Sequence, residues 1–158
     1  MSGKMLTGSF VALITPFNKD GSVDFGAFRT LLKFQEERGT SAVPTMSLGG
    51  HGTANMTGNI APAELATIST PWTSYAEAEN FKTAYLKLLP LLHFTYSAIN
   101  PVAVKSLMKA LSLPAGNLRK PLTNLDGEAL AKGIRIVQEL GLDKQYGYKI
   151  GPISAVAA

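Results

Sequence analysis

A glycine-rich stretch is the part of this sequence best suited to holding an anion. Gly49, Gly50 and Gly52 surround His51 and precede a run of small residues that suit a strand. Successive backbone N–H groups in such a turn can bind an anion. No Lys-Ser or Lys-Thr pair follows the glycines, so the stretch does not match a phosphate-binding P-loop. Glycines that only permit a turn before a strand are the alternative interpretation.

Metal and hydrolase chemistry have no matching pattern. His51 and His93 are the only histidines, and neither has carboxylates nearby at ligand spacing, so we predict no metal site and no cofactor. The chain contains no cysteine, which excludes disulfides, thiolate nucleophiles and cysteine-ligated metals. It also lacks a Gly-x-Ser-x-Gly elbow. His93, between Leu92 and Phe94, is predicted to be a packed helix residue.

Composition and charge narrow the class of protein. With 46% hydrophobic and 16% charged residues, the 158-residue chain is expected to be globular. Residues 76–158 hold ten basic and six acidic side chains. Because these lysines are dispersed and lack interleaved aromatics, they indicate a solvated helical face or a field for an anionic substrate, not a nucleic-acid surface. We predict no signal peptide, no membrane span and a cytoplasmic location.

Apolar patterns near the N-terminus predict a β-α-β unit. Residues 9–17 form a short apolar run typical of a buried parallel strand. Asp24 can cap the following helix, and Gly39 can end it. Residues 41–46 supply a second apolar segment, and a further short strand is expected at residues 53–57. The predicted buried face of the helix consists of Phe25, Phe28, Leu31 and Leu32.

The rest of the chain is predicted to be helical. Ser74 and Glu77 fit a capping box, and Pro90 is expected to kink or end the helix that follows. Pro101 is placed at the first position of another helix, and Asp126 caps a last one that stops at Gly141. The tail after residue 144 shows no period. The predicted inward faces comprise Phe81, Tyr85, Leu88, Leu89 and Leu92, then Val102, Val104, Leu107, Met108 and Leu111, then Leu130, Ile134, Val137 and Leu140.

Two stretches resemble opposite ends of one enzyme family. Residues 5–43 (MLTGSFVALITPFNKDGSVDFGAFRTLLKFQEERGTSAV) resemble the opening strand and helix of the dihydrodipicolinate synthase/N-acetylneuraminate lyase family, which comprises Schiff-base aldolases on a (β/α)8 barrel. LGGHGTANMTGNIAP, from residue 48, resembles that family's last strand, and NPVAVKSLMKAL and LRKPLTNLDGEALAKGIRIVQELGL resemble its C-terminal helices. The resemblance implies an α/β fold that is an incomplete TIM barrel. Residues 1–62 would be the partial barrel and residues 63–158 a helical region.

The family's catalytic groups have no counterpart in these stretches. Its lysine, at the end of a barrel strand, must be partly neutral to attack pyruvate. None of the eleven lysines follows an apolar strand, and all, including Lys105 and Lys109, are predicted to be solvated. No tyrosine lies in the family's Tyr-Asn-x-Pro context. Tyr75, Tyr85 and Tyr96 are predicted to pack within or beside helices. We therefore assign no catalytic residue.

The family's carboxylate-binding loop has two possible alignments here. Residues 46–52 are either a degraded copy of that loop or the Leu-Gly-Gly-His-Gly that precedes the last strand, and the second matches more letters. The threonine pair is lost on either alignment. The resemblance places Ala12 and Ala54, together with Gly49 and Gly50, at the substrate end.

Three hypotheses follow. The chain is an active pyruvate aldolase of the 4-hydroxy-tetrahydrodipicolinate synthase type, as in lysine biosynthesis. Alternatively, it is a non-catalytic module that associates with itself or with a full-length relative. A third possibility is an internally truncated product with no function of its own. The absent lysine and tyrosine favour an inactive relative. With so few strands a sheet cannot close, so its edges favour association. Pyruvate or a related keto acid is the only ligand that the resemblance implies.

Overall fold

The computed structural model describes residues 8–38 and 52–153. The strands in those ranges are β1 (Gly8–Val11) and β2 (Gly52–Asn55). The helices, in chain order, are α1 (Phe25–Glu36), α2 (Pro62–Thr67), α3 (Tyr75–Thr95), α4 (Val102–Ala110), α5 (Gly127–Glu139) and α6 (Leu142–Tyr146). The predicted excess of helices over strands is confirmed for this part of the chain. The predicted segment at 41–46 and the stop at Gly39 lie outside it.

The two strands form a parallel pair. Gly8 lies opposite Gly52 and Val11 opposite Asn55, and just beyond β1 the Ala12 N–H donates to the Asn55 carbonyl at 2.7 Å. The expected small parallel sheet is therefore present. The predicted end of β2 was wrong, because residues 57–59 form a 3₁₀ turn and not the end of a strand.

Buried side-chain hydrogen bonds fix the end of β1 against this 3₁₀ turn. The Asn59 amide donates to the Ala12 carbonyl at 3.0 Å and accepts from the Ile14 N–H at 3.2 Å. From α1, the Gln35 amide donates to the Gly58 carbonyl at 2.7 Å. These bonds satisfy polar groups that would otherwise be costly to bury. They also determine where the chain leaves the sheet after β1.

Helix starts follow the sequence signals closely. Asp24 and Asp126 each accept a hydrogen bond from the third residue after them, at 2.9 and 2.8 Å. Ser74 and Glu77 form the predicted capping box. Gly141 follows α5 with a φ of 73°, a left-handed conformation that glycine adopts without the cost of a Cβ. The one shift is at Pro101, which precedes α4 as its N-cap and not as its first residue.

The prediction that Pro90 kinks or ends its helix was wrong about an end, since α3 runs through it to residue 95. Proline removes the hydrogen bond to the carbonyl of residue 86. Leu86 is 55% exposed and Pro90 is exposed as well, so that carbonyl lies toward solvent. A carbonyl on the solvent side can bond to water, which lowers the cost of the interruption.

Among the described helices, α4 buries the most residues. All residues of α4 except Lys109 are buried, and α5 buries Leu130, Ile134 and Val137. On α1 the predicted face was only partly right, because Leu31 is buried whereas Phe25 and Leu32 are 73% and 49% exposed. Within the described residues, no other element covers Phe25 and Leu32.

The prediction that three tyrosines pack against helices was wrong. Tyr75, Tyr85 and Tyr96 are exposed, contrary to the prediction that they pack. The core instead receives Tyr146 and Tyr148, whose rings stack 5.3 Å apart. They lie at the end of α6 and after it, in the tail for which no helix was predicted. Five residues of α6 are too few to show a helical period.

No helix in the described part of the chain has the length and apolarity needed to span a membrane.

Candidate functional site

Lys105 is a buried lysine in the middle of α4. Its side chain is only 2% exposed. The ammonium group donates to the carbonyl oxygens of Thr15, at 2.9 Å, and Asn117, at 2.7 Å. It also lies 5.1 Å from the centre of the Phe17 ring. The prediction of a solvated surface lysine was therefore wrong at this position, because α4 is covered on nearly all sides.

Burial changes the acid–base behaviour of Lys105. Loss of solvation lowers the pKa of its ammonium group to about 8. The two carbonyl oxygens and the aromatic ring oppose this effect, because they interact favourably with the charged form. At pH 7 roughly a tenth of the groups would be neutral. A neutral amine is the form of lysine that attacks a carbonyl carbon.

Lys105 borders a cavity of about 290 Å³. This inner cavity lies at the end of β1, between the loop that follows the strand and the loop that follows α4. Arg119 supplies a second cation at its wall. The lining residues are Ala12, Leu13, Ile14, Thr15, Phe17, Asn100, Pro101, Lys105, Leu118, Arg119 and Leu122. An apolar chamber with two cations suits a small molecule that carries a carbonyl and a carboxylate.

The predicted substrate-lining residues are only partly brought together. Ala12 lines the inner cavity. Ala54 lies in β2, opposite Phe10 in the register. Gly49 and Gly50 fall outside the described residues. The proposed substrate end therefore stays a prediction; of its described members, Ala12 lines the same cavity as the buried lysine.

The sequence does carry a signal for the burial of Lys105. Lys105 lies three residues after Val102 and three before Met108, so it shares the apolar stripe of α4. A charged residue within such a stripe is a candidate buried group. Its partners Thr15 and Asn117 could not be read from the sequence, because one of them is 90 residues away.

Metal chemistry receives no support in the described ranges. They hold no cluster of three or more histidine, cysteine, aspartate or glutamate side chains that could bind an ion. His93 is exposed on α3, which corrects the prediction that it packs. His51 lies outside the described residues.

Comparison with known proteins assigns the family. The model of the Dihydrodipicolinate synthetase family matches residues 40–140. The chain belongs to this family. The match includes β2, all helices from α2 to α5 and the loop that carries Asn117 and Arg119, so Lys105 lies inside it.

Several curated members of the Dihydrodipicolinate synthetase family are similar in sequence. The 4-hydroxy-tetrahydrodipicolinate synthase of Methanococcus aeolicus is 35% identical over 103 residues, covering 63% of this chain and 34% of that protein. The enzyme of the same name from Thermoanaerobacter sp. (strain X514) is 31% identical over 103 residues, covering 65% and 34%. The matched region thus spans about a third of the length of these relatives.

Solved structures agree with the family assignment. A crystal structure of dihydrodipicolinate synthase is 29% identical, with a TM-score of 0.54, and covers 61% of this chain and 33% of the other. The dihydrodipicolinate synthase from Aquifex aeolicus is 14% identical, with a TM-score of 0.70 over 92% of this chain. The second likeness concerns the fold alone. Likeness to these structures implies a TIM-barrel family, and the described residues contain one parallel pair of strands.

Proposed function

We propose that this chain is a Dihydrodipicolinate synthetase-family module that acts by association and has no aldol turnover of its own. It joins the first strand of the barrel to the last, with the central section missing; residues 1–62 form the barrel part and residues 63–158 the helical region. The observation that supports this proposal is the parallel β1–β2 pair, which has no third strand in the described part of the chain.

Backbone geometry indicates which groups of β1 face the open edge. In a parallel pair, alternate residues of a strand bond to the same neighbour. The Ala12 N–H bonds toward β2, so the N–H groups of Ser9 and Val11 lie on the opposite side. Strand groups that face away from the sheet in this way are templates for another strand. We propose that a second copy of the chain covers them.

Sedimentation velocity at several concentrations tests this association. We expect a defined oligomer, and we expect Ser9→Pro to shift it toward monomer, because proline removes an outward N–H and leaves the bonds to β2 in place. Ser9→Ala is the matched control and should keep the oligomer. A wild-type monomer at every concentration contradicts the proposal. If the chain binds a full-length relative and does not self-associate, the partner at the β1 edge is that relative and not a second copy.

The proposed lack of turnover rests on the missing family lysine and tyrosine. The relatives named above are 4-hydroxy-tetrahydrodipicolinate synthases, an activity that the resemblance links to condensation of pyruvate with an aldehyde. Without the covalent nucleophile that route is lost. A standard coupled assay of the pure chain should give no rate above background. Measured turnover would contradict this part of the proposal.

A second candidate function is binding of a small keto acid at the inner cavity. The observation that favours it is Lys105, whose lowered pKa and position beside Arg119 match the needs of imine formation. The neutral amine would attack the ketone carbon of pyruvate and release water. Arg119 would hold the carboxylate.

Reductive trapping tests this candidate. The chain is incubated with pyruvate and borohydride, which reduces an imine to a stable secondary amine, and its intact mass is measured. We expect one adduct that is lost in Lys105→Met. Lys109→Met, on the same helix, should keep the adduct. No adduct on the folded wild-type chain would eliminate the keto-acid site and leave the association proposal unaffected.

A further inference from the structure

A second cavity, of about 730 Å³, lies next to the inner one. The two share Phe17, Leu118, Arg119 and Leu122 in their linings. This outer cavity is built from two loops, the turn at residues 17–21 and the segment at residues 117–124. The loops are joined by the backbone bond from Asn117 N–H to the Phe17 carbonyl, at 2.9 Å. The outer cavity is therefore formed by parts of the chain about a hundred residues apart.

The lining of the outer cavity is strongly basic. It contains Lys19, Arg119 and Lys120 against a single carboxylate, that of Asp20. None of the three cations forms an ion pair within residues 8–38 and 52–153. Asp20 accepts hydrogen bonds from the N–H and hydroxyl of Ser22, at 2.9 and 2.7 Å, and these lower the pKa of its carboxyl. The cavity thus carries two uncompensated positive charges.

Arg119 is held in place before any ligand arrives. Its guanidinium carbon lies 4.1 Å from the centre of the Phe17 ring, and one of its nitrogens donates to the Gly21 carbonyl at 2.8 Å. Lys105 approaches the same ring to 5.1 Å, which adds a buried positive charge nearby. A guanidinium fixed by stacking loses less entropy when it binds an oxyanion.

We infer that the outer cavity binds a small molecule that carries a phosphate group, in the form of a phosphate monoester. A phosphate monoester near pH 7 has up to two negative charges, which match the two excess positive charges of the cavity lining. The planar fork of Arg119 suits phosphate oxygens. The cavity is also much larger than a phosphate ion, which leaves room for the organic part. This inference is independent of the proposed association.

Calorimetric titration with glycerol phosphate, at constant ionic strength, tests the inference on the whole chain. We expect saturable binding that Arg119→Gln weakens about tenfold or more, the usual effect of losing a charge-assisted hydrogen bond. Because Arg119 also supports the turn at Gly21, the double variant Lys19→Gln/Lys120→Gln provides a second test at exposed positions. It should weaken binding at least as much without loss of folding.

A control variant and two other ligands test whether the binding is specific for this cavity and for a phosphate monoester. Lys82→Gln/Lys132→Gln removes the same charge from exposed sites that line neither cavity, and it should leave binding unchanged. An equal loss in this control would overturn the inference, as would absence of saturable binding. Citrate that binds as tightly as glycerol phosphate would overturn the phosphate assignment. If inorganic phosphate binds as tightly as glycerol phosphate, the assignment of a monoester is overturned and the free ion is the ligand.

Discussion

Lys105 holds together two loops that are remote in sequence. Its ammonium group bridges the carbonyls of Thr15 and Asn117, so one side chain connects the end of β1 to the loop after α4. The bridge brings a charge into the interior, and burial lowers the pKa of the group to about 8. The stability of the fold must therefore depend on the protonation of this residue.

The sign of this dependence follows from the two pKa values. Between pH 8 and about 10.5, the ordinary value, the unfolded chain keeps a proton that folded Lys105 has released. The unfolded state binds more protons in this window, so the free energy of unfolding rises with pH. From pH 7.5 to 9.5 we expect the wild type to gain about 1.5 kcal/mol relative to Lys105→Met. Urea unfolding at each pH measures this difference.

The control for this measurement is Lys132→Met, an exposed lysine of α5. Its difference from the wild type should stay flat over the same range. The range stops at pH 9.5 because burial raises the pKa of the Tyr146 and Tyr148 hydroxyls. At higher pH these hydroxyls ionise in the unfolded chain first, which lowers the free energy of unfolding. A difference between wild type and Lys105→Met that does not change with pH would show that Lys105 is solvated after all.

Among the elements, α3 and α5 meet at a close contact between Phe94 and Gly133. A Cβ on Gly133 would lie 2.4 Å from the ring of Phe94. Since the buried ring of Phe94 cannot move by that much without cost, Gly133→Ala should lower the free energy of unfolding by about 1–3 kcal/mol. Chemical denaturation measures the change.

The same helix provides the control. At Gly127 a Cβ would meet its nearest atom at 3.5 Å, an ordinary contact. Gly127→Ala should thus be neutral or stabilise by a few tenths of a kcal/mol, on the order of the helix propensity difference. Equal destabilisation by the two substitutions would mean that helix geometry, and not the contact with Phe94, is responsible.

Two tyrosine hydroxyls connect the region of α6 to the start of α2 by hydrogen bonds. The Tyr146 hydroxyl donates to the Glu64 carboxylate at 2.6 Å, and the Tyr148 hydroxyl donates to the Ile60 carbonyl. Tyr148→Phe should cost about 1–2 kcal/mol, because it leaves a buried carbonyl without that partner. Tyr75→Phe, at a tyrosine that is 82% exposed, should change the stability by less than about 0.5 kcal/mol. Thermal and urea unfolding of both variants measure whether the hydrogen bond of Tyr148 stabilises the fold.

Features of the fold that depend only on neighbouring residues in the sequence were predictable, and features that depend on distant residues were not. The caps at Asp24, Ser74 and Asp126 were predictable because a cap involves only the next three residues. The buried lysine and the packed tyrosines were not, because their partners lie far away in sequence. Ala12 could be placed near a substrate end only through the family resemblance. Arg119 had no local signal at all, since its site needs the distant turn at Gly21.

For the whole molecule, the described sheet of two strands is much smaller than a closed barrel requires. The parallel neighbours β1 and β2 were predicted from the order of the barrel, and the pair is present. A closed barrel has no edges, whereas two strands have two. The stability of the chain should then include a contribution from whatever covers these edges.

That contribution predicts a thermal midpoint that depends on protein concentration. If a second copy covers β1, each tenfold increase in concentration adds up to about 1.4 kcal/mol per dimer to the free energy of unfolding. For a chain of this size, the midpoint should rise by about 2–4 °C for each kcal/mol gained. Scanning calorimetry over a hundredfold range measures the slope. Ser9→Pro should flatten it and Ser9→Ala should not, because only proline removes the outward N–H. A flat wild-type slope would mean that no second copy covers β1, and the association would then have no energetic basis in the sheet.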